Sequence, residues 1–254
     1  MHAAQLLISR SVVHPQWQSI LEAALSKVDE TYLQSLLSQP DWLPGSDNLL
    51  AAFRNSRQNL KYILIGESPY PRRESANGIA FYDAAVGSLW SDIGLSKAVN
   101  RATSMRNIMK SMLLAEALVE PDVDGKISQA GIARIDKSGL VQTMDQLFEK
   151  LHRAGFLMLN ATPVLHSNRK PQQEATYWVE FLNQLLASID QQSTNSPQLI
   201  LWGKIAQVIK RLPASQPYDQ LICEHPYNVS FIHNQTMLDL FSRLKILQLK
   251  HTNP

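Results

Sequence analysis

Short apolar runs alternate along the chain with stretches in which apolar residues recur every three or four positions. Four runs are almost continuously apolar, as strands covered on both faces are, and they lie at residues 62–66, 155–160, 199–203 and 220–224. Helical periodicity is present at residues 105–113, 178–189 and 237–247. Strands that alternate with helices predict an α/β fold with a central, mostly parallel four-stranded sheet flanked by helices.

The other segments are expected to belong to the same single domain, which spans residues 1–254. Residues 1–55 contain leucine-rich stretches that predict a helical N-terminal extension on a core of residues 60–243. Residues 120–142 begin with turn formers and are predicted to be an inserted loop or hairpin. Neither a flexible linker nor an internal repeat divides the sequence, so one domain is the expected organisation.

Composition narrows the class of protein. The chain has 254 residues, of which 44% are hydrophobic, so disordered and fibrous classes are excluded. No apolar run approaches the roughly 20 residues of a membrane span, and no membrane association is expected. The single cysteine, Cys223, excludes a disulfide scaffold and favours a reducing, cytoplasmic location, where it would be a buried structural thiol. Neither a metal cluster nor a dinucleotide loop is present in the sequence, so no metal and no cofactor are expected.

Polar and aromatic residues follow each predicted strand. In an open α/β sheet, ligands bind beyond the carboxyl ends of the strands. There the sequence reads G-E-S-P-Y-P at 66–71, N-A-T-P at 160–163, W-G-K-I-A-Q at 202–207 and H-P-Y-N-V-S at 225–230. A carboxylate, an amide, an imidazole and aromatic planes on one rim suit a flat polar heterocycle, although a generic small-molecule pocket is an alternative.

The order of these clusters resembles that of the uracil-DNA glycosylase superfamily over residues 60–243. The best-known branch carries G-Q-D-P-Y-H, G-L-x-F, L-L-N-T, L-W-G-x-x-A-Q and H-P-S-P-L-S. The counterparts here are G-E-S-P-Y-P at 66–71, G-I-A-F at 78–81, M-L-N-A at 158–161, L-W-G-K-I-A-Q at 201–207 and H-P-Y-N-V-S at 225–230. The resemblance implies a monomeric enzyme, without a cofactor, that flips uracil out of DNA and hydrolyses its N-glycosidic bond.

The resemblance also implies a role for each matched residue. Phe81 would stack on the base, Asn160 would read its edge, and Tyr70 would reject the methyl group of thymine, beside Gly66 in the base-binding loop. His225 would stabilise the departing uracil anion. DNA contacts would come from Ser104, Arg106, Val229 and Ser230. Each has a structural alternative, because Asn160 could fix a loop, Phe81 and His225 could be structural, and Tyr70 could serve turn geometry.

Two departures from the family pattern bear on activity. Ser68 stands where the best-known branch has its catalytic aspartate, and Glu67 precedes it, so both are candidates for handling the attacking water. Tyr227 and Asn228 replace the serine and proline of H-P-S-P-L-S, which removes a phosphate-binding hydroxyl or transfers it to the phenol of Tyr227. The resulting hypothesis is a divergent DNA glycosylase with reduced or altered activity on uracil or a related deaminated base. A catalytically inactive module that binds DNA or protein, and a binder of free nucleobases or nucleotides, are the alternatives.

Charge is compatible with a DNA partner without requiring one. The formal net charge is +2, and a nearly balanced total can include a basic face. The cations near the motifs are Arg72, Arg73, Arg106, Arg169 and Lys170, which are predicted to form a positive rim. A protein of this kind is expected to be cytoplasmic and to associate with the nucleoid when it acts on DNA.

Overall fold

The structure of the protein is a computed structural model, which describes residues 2–39 and 41–249. The helices are α1 (Ala3–Arg10), α2 (Gln18–Leu25), α3 (Glu30–Ser38), α4 (Lys97–Arg101), α5 (Thr103–Ala115), α6 (Gln129–Ala133), α7 (Met144–Arg153), α8 (Pro171–Gln191), α9 (Ile205–Ile209) and α10 (Gln235–Leu244). The strands are β1 (Trp42–Leu43), β2 (Tyr62–Gly66), β3 (Trp90–Ser91), β4 (Gly94–Leu95), β5 (Phe156–Asn160), β6 (Leu165–His166), β7 (Gln198–Trp202) and β8 (Gln220–Cys223). Short 3₁₀ turns cover Pro15–Trp17, Ala51–Phe53, Pro213–Ser215 and Val229–His233.

The central sheet has four strands in the order β5-β2-β7-β8. Strand β2 pairs in parallel with β5 on one side and with β7 on the other, so the carboxyl ends of these three strands meet at one edge. Alternate side chains of β2, β5 and β7 enter a common apolar core with residues of the flanking helices. The predicted α/β class and the four-stranded sheet are therefore confirmed.

The chain divides into two compact units, each assembled from two stretches of sequence. The first unit consists of Met1–Tyr82 and Gly155–Ile222, and it contains β2, β5, β7 and most of β8. The second unit consists of Asp83–Ala154 and Cys223–Pro254.

A buried polar network anchors the N-terminal turn of α8 in the first unit. The Glu174 carboxylate is only 1% exposed, and it accepts hydrogen bonds from the Tyr32 hydroxyl and, at 2.9 Å, from Nδ1 of His166. The guanidinium of Arg169 lies 3.6 Å from the same carboxylate and 5.7 Å from the centre of the Tyr32 ring. Because a buried carboxylate is costly unless it is paired, this network fixes the segment between β5 and α8.

The second unit is centred on α5, which packs against α10 and against the 3₁₀ turn Val229–His233. Just beyond the end of α5, the buried Glu116 accepts a hydrogen bond from the Leu247 backbone N–H at 2.8 Å. The other oxygen of this carboxylate, Oε2, is buried without a hydrogen-bond partner. Burial raises the pKa of Glu116 to about 7, although the hydrogen bond from Leu247 acts in the opposite direction.

Three sequence expectations need correction, and one pair of strands was not predicted. Strand β8 is not buried on both faces, since it lies at the edge of the sheet, where Ile222 is 39% exposed and Cys223 is partly exposed. The segment 1–55 is mostly helical but also includes β1, which pairs antiparallel with β6. The antiparallel pair β3–β4 was not predicted. Within residues 120–142 the structure has the short helix α6 and turns, and the hairpin alternative is wrong.

None of the helices in the described part of the chain is both long enough and apolar enough to cross a membrane.

Candidate active site

The ends of β2 and β5 bring a glycine against a buried carboxamide. Gly66 and Asn160 are partners in the parallel register. A Cβ atom on Gly66 would lie 2.8 Å from Oδ1 of Asn160 and 2.9 Å from Cβ of Ala80, so only glycine fits without displacing its neighbours. Asn160 is 6% exposed. Its carboxamide carries one acceptor oxygen and two donor hydrogens.

Phe81 is held over the same glycine by an unusual backbone conformation. Its φ is +63°, in the left-handed region that costs most side chains about 1–3 kcal/mol. A Cβ on Gly66 would lie 3.5 Å from the Phe81 ring, and that ring forms a T-shaped contact with Trp202, with 4.9 Å between ring centres. The hydroxyl of Tyr70 donates to the Phe81 carbonyl at 3.4 Å. A strained backbone of this kind persists only where surrounding contacts hold it, and strained residues are frequent at binding sites.

The structure thus brings together Gly66, Tyr70, Phe81 and Asn160, the residues predicted to bind a base. They combine an aromatic face, a phenol and a carboxamide whose donors and acceptor lie in one plane. This arrangement suits a flat heterocycle that carries both a hydrogen-bond donor and an acceptor on one edge.

Glu67 and Ser68 lie next to this group, on the wall of a cavity of about 180 Å³. The remaining wall is mainly aliphatic and comes from α8, α9 and the segment after β5, with Lys204 also contributing. Glu67 is exposed and Ser68 is partly buried, and the Glu67 carbonyl accepts a hydrogen bond from Thr162 N–H at 3.0 Å. Both residues contribute to the wall of this cavity.

The loop that carries His225 belongs to the second unit. Nδ1 of His225 accepts a hydrogen bond from the Tyr227 backbone N–H at 3.0 Å. A neutral imidazole that accepts at Nδ1 carries its proton on Nε2, so Nε2–H is a hydrogen-bond donor. This is the tautomer that can stabilise a developing negative charge on a leaving group.

Asn107 on α5 supports this loop, and the sequence alone did not assign it a role. It is 1% exposed, and its side-chain amide donates to the Pro226 carbonyl at 2.8 Å and lies 3.3 Å from the Asn228 carbonyl. The signal was present in the S-M-R-N-I element at 104–108, where Asn107 is the only amide. Asn107 therefore fixes the backbone that follows His225.

The four predicted DNA contacts lie on two adjoining elements of the second unit. Ser104 is half-buried in the first turn of α5, and Arg106 donates to the Asn100 carbonyl at 3.0 Å. Val229 is 67% exposed and Ser230 is exposed, both at the start of the 3₁₀ turn that packs against α5. Burial, followed by the nearby Arg106 charge, lowers the pKa of Lys110.

Two of the five cations predicted to form a positive rim have acidic partners in the structure. Arg169 belongs to the buried network around Glu174 and stacks near Tyr32, because that carboxylate needs a countercharge. Arg73 is exposed and pairs with Asp41 at 3.5 Å. In residues 2–39 and 41–249, no three His, Cys, Asp or Glu side chains are grouped so that they could hold a metal ion.

Comparison with known proteins decides the family. The family model described as the uracil DNA glycosylase superfamily matches residues 53–252, most of the chain. The chain belongs to the uracil-DNA glycosylase superfamily. A crystal structure of wild-type UNG from Nitratifractor salsuginis is 37% identical, with a TM-score of 0.90 and 97% of each chain covered.

Two more distant uracil-DNA glycosylases are also similar to this chain. The uracil-DNA glycosylase of Fusobacterium nucleatum is 22% identical over 226 residues, which cover 87% of this chain and 84% of that protein. The mimivirus uracil-DNA glycosylase structure is 17% identical with a TM-score of 0.58, covers 88% of this chain and 71% of its own, and shares the fold. The superfamily match includes every residue of the candidate site, from Gly66 to Ser230.

Proposed function

We propose that this protein is a DNA glycosylase that excises uracil, or a related deaminated base, at a reduced rate. The observation that carries the proposal is the packing of Phe81 and the buried Asn160 carboxamide around Gly66. The family relationship supports the same chemistry, because relatives such as those of Fusobacterium nucleatum and Lysinibacillus sphaericus are named uracil-DNA glycosylases.

Base recognition would combine stacking with edge reading. Phe81 would stack on the flipped base, which is worth about 1–3 kcal/mol and does not depend on base identity. Oδ1 of Asn160 would accept the N3–H of uracil, and its Nδ2 would donate to O4. Tyr70, tied to the Phe81 carbonyl, would stand against the 5-position, where thymine carries a methyl group.

Hydrolysis breaks the bond between C1′ of the sugar and N1 of uracil. The bonding electrons leave with the base as an anion, and the sugar develops positive charge. Nε2–H of His225 would donate to O2 of that anion, a stabilisation of the oxyanion-hole type. Glu67 would accept a proton from the water that attacks C1′, and Ser68 would orient that water. The uracil anion then takes up a proton from water and Glu67 returns its proton to solvent, so the products are free uracil and an abasic site.

The decisive test is release of uracil from single- and double-stranded DNA, detected as alkali-sensitive abasic sites. We expect cleavage of uracil-containing strands and none of the matched thymine-containing strands. Asn160→Ala is expected to lower excision by at least about a hundredfold, because the buried site then lacks its edge-reading group. Asn195→Ala, an exposed asparagine in the loop before β7, is the matched control and should retain full activity.

Two results would contradict the proposal. If the wild-type protein releases no more uracil than the Asn160→Ala, His225→Ala double variant, uracil is not the substrate. Hypoxanthine-containing DNA then tests a related base. Salt-dependent binding to DNA with no release of any tested base would instead identify a non-catalytic DNA-binding module.

A further inference from the structure

The loop after His225 leaves two large apolar side chains in solvent. Tyr227 and Val229 are each 67% exposed, and they are separated by one residue. Isolated exposed apolar residues are common, but two side by side next to functional residues indicate a binding surface.

The backbone beneath these side chains is fixed. Tyr227 N–H donates to Nδ1 of His225, and Asn228 N–H donates to the His225 carbonyl at 2.9 Å. The buried Asn107 amide holds the Pro226 and Asn228 carbonyls from the other side. With these backbone groups engaged inside the protein, the Tyr227 and Val229 side chains are presented outward. Presentation on a rigid backbone lowers the entropy lost on binding.

We infer that Tyr227 is a DNA-stacking residue, whose ring packs on a base next to the position that the flipped nucleotide leaves. The inference rests on the proposed function and goes beyond it, since it gives Tyr227 a contact through its ring and not through its hydroxyl. An exposed aromatic ring can stack on any base, because every base presents a π-face. Val229, with a smaller side chain, fills part of the vacated position beside it.

The surroundings favour a nucleic acid as the occupant. The 3₁₀ turn that begins at Val229 packs against α5, which carries Arg106 and Lys110 one helical turn apart. Burial and then the Arg106 charge lower the pKa of Lys110, while the Asp122 carboxylate acts in the opposite direction. Two cations on the helix that packs against this turn complement a polyanion better than a purely apolar partner.

The test measures binding without chemistry. The probe is a duplex with one tetrahydrofuran abasic analogue and a 2-aminopurine base beside it, so that anisotropy reports affinity and emission reports stacking. We expect Tyr227→Ser to raise the Kd about five- to hundredfold, and Tyr227→Phe to stay within about twofold. The dependence of log Kd on log salt should be unchanged in Tyr227→Ser, because stacking releases no counterions.

Ile93→Ser is the matched control, since Ile93 is another exposed apolar residue of the second unit, at 77%. It should bind as the wild type does. Wild-type affinity in Tyr227→Ser would overturn the inference, and so would an equal loss in Tyr227→Phe, which would assign the contact to the hydroxyl. If wild-type protein releases uracil while Tyr227→Ser binds normally, only the stacking role fails. If wild-type protein neither binds the probe nor releases uracil, the proposed function fails as well.

Discussion

In the proposed reaction, Glu67 and Ser68 would stand where a charged group does most for a developing sugar cation. A carboxylate about 4 Å from that cation, at an effective dielectric near 20, is worth roughly 4 kcal/mol, which a hydroxyl does not supply. Both residues line one cavity. In the reaction that we propose, the carboxylate of Glu67 supplies the charge that Ser68 lacks. The reduced rate that we propose follows because the carboxylate is carried by Glu67 and not by residue 68.

Three substitutions separate the two residues in the excision assay. Glu67→Gln removes the charge and is expected to slow uracil release by about 10²–10⁴-fold, the usual contribution of a general base. Ser68→Ala should cost less than about tenfold, and Ser68→Asp should raise the rate by about tenfold or more, because it adds a carboxylate.

The matched control is Glu74→Gln, which removes an exposed carboxylate from the same loop region. It should leave the rate unchanged. If Glu67→Gln and Ser68→Ala are both as fast as the wild type, this loop does not handle the water. A rate for Ser68→Asp equal to or below the wild type would show that the sugar does not lie over that residue.

At the scale of elements, α5 acts as a clamp for the loop that follows His225. Asn107 is buried in the middle of the helix and its amide donates to backbone carbonyls of that loop. One turn further along, the Ser111 hydroxyl is equally buried but has no hydrogen-bond partner. The helix therefore presents two buried polar side chains, of which only one holds the loop.

Asn107→Ala leaves the Pro226 carbonyl without its donor and is expected to lower the free energy of unfolding by about 1–3 kcal/mol. Asn107→Asp, similar in shape but without N–H groups, should cost more, because its oxygens would face carbonyl oxygens. Urea unfolding measures both. Ser111→Ala is the control on the same helix, and it should be neutral or stabilising because it removes an unpaired buried hydroxyl. Wild-type stability in Asn107→Asp would refute the clamp.

The elements also show what a sequence can and cannot predict. Strands β2, β5 and β7 were predictable because their apolar runs are continuous, and the sheet edge followed from them. Strand β8 has a similar pattern but lies at the edge, which depends on strand order and not on its own residues. The clamp joins residues 119 positions apart, and the left-handed backbone of Phe81 depends on contacts around it. Neither is encoded in a local pattern.

For the whole molecule, the buried carboxylate of Glu116 should make the free energy of unfolding depend on pH. Burial raises the pKa of Glu116 from its ordinary value of 4.5 to about 7. Below pH 4.5 the carboxyl is protonated in both folded and unfolded chains, and it contributes no pH dependence. Between these values the unfolded chain loses its proton first, so this group's contribution to stability falls as pH rises.

Glu116→Gln keeps an oxygen for the Leu247 N–H and removes the titration. Relative to wild type, the variant should gain stability from pH 4.5 to pH 8, by at most about 3 kcal/mol for a shift of this size. Unfolding in urea at a series of pH values gives the difference directly. Glu120→Gln, at a nearby exposed position, should show no such trend. A constant difference between wild type and Glu116→Gln across this range would show that the buried carboxylate does not titrate there.

The two units alternate along the chain, and this order has a genetic consequence. The residues proposed to recognise the base, namely Gly66, Tyr70, Phe81 and Asn160, are all encoded before codon 161 and belong to the first unit. His225 and Tyr227 are encoded after its last residue, Ile222. Alleles that change which base is chosen should therefore map to the earlier codons. Nonsense alleles between codons 161 and 225, although they spare all the base-recognition codons, should abolish excision because they remove His225.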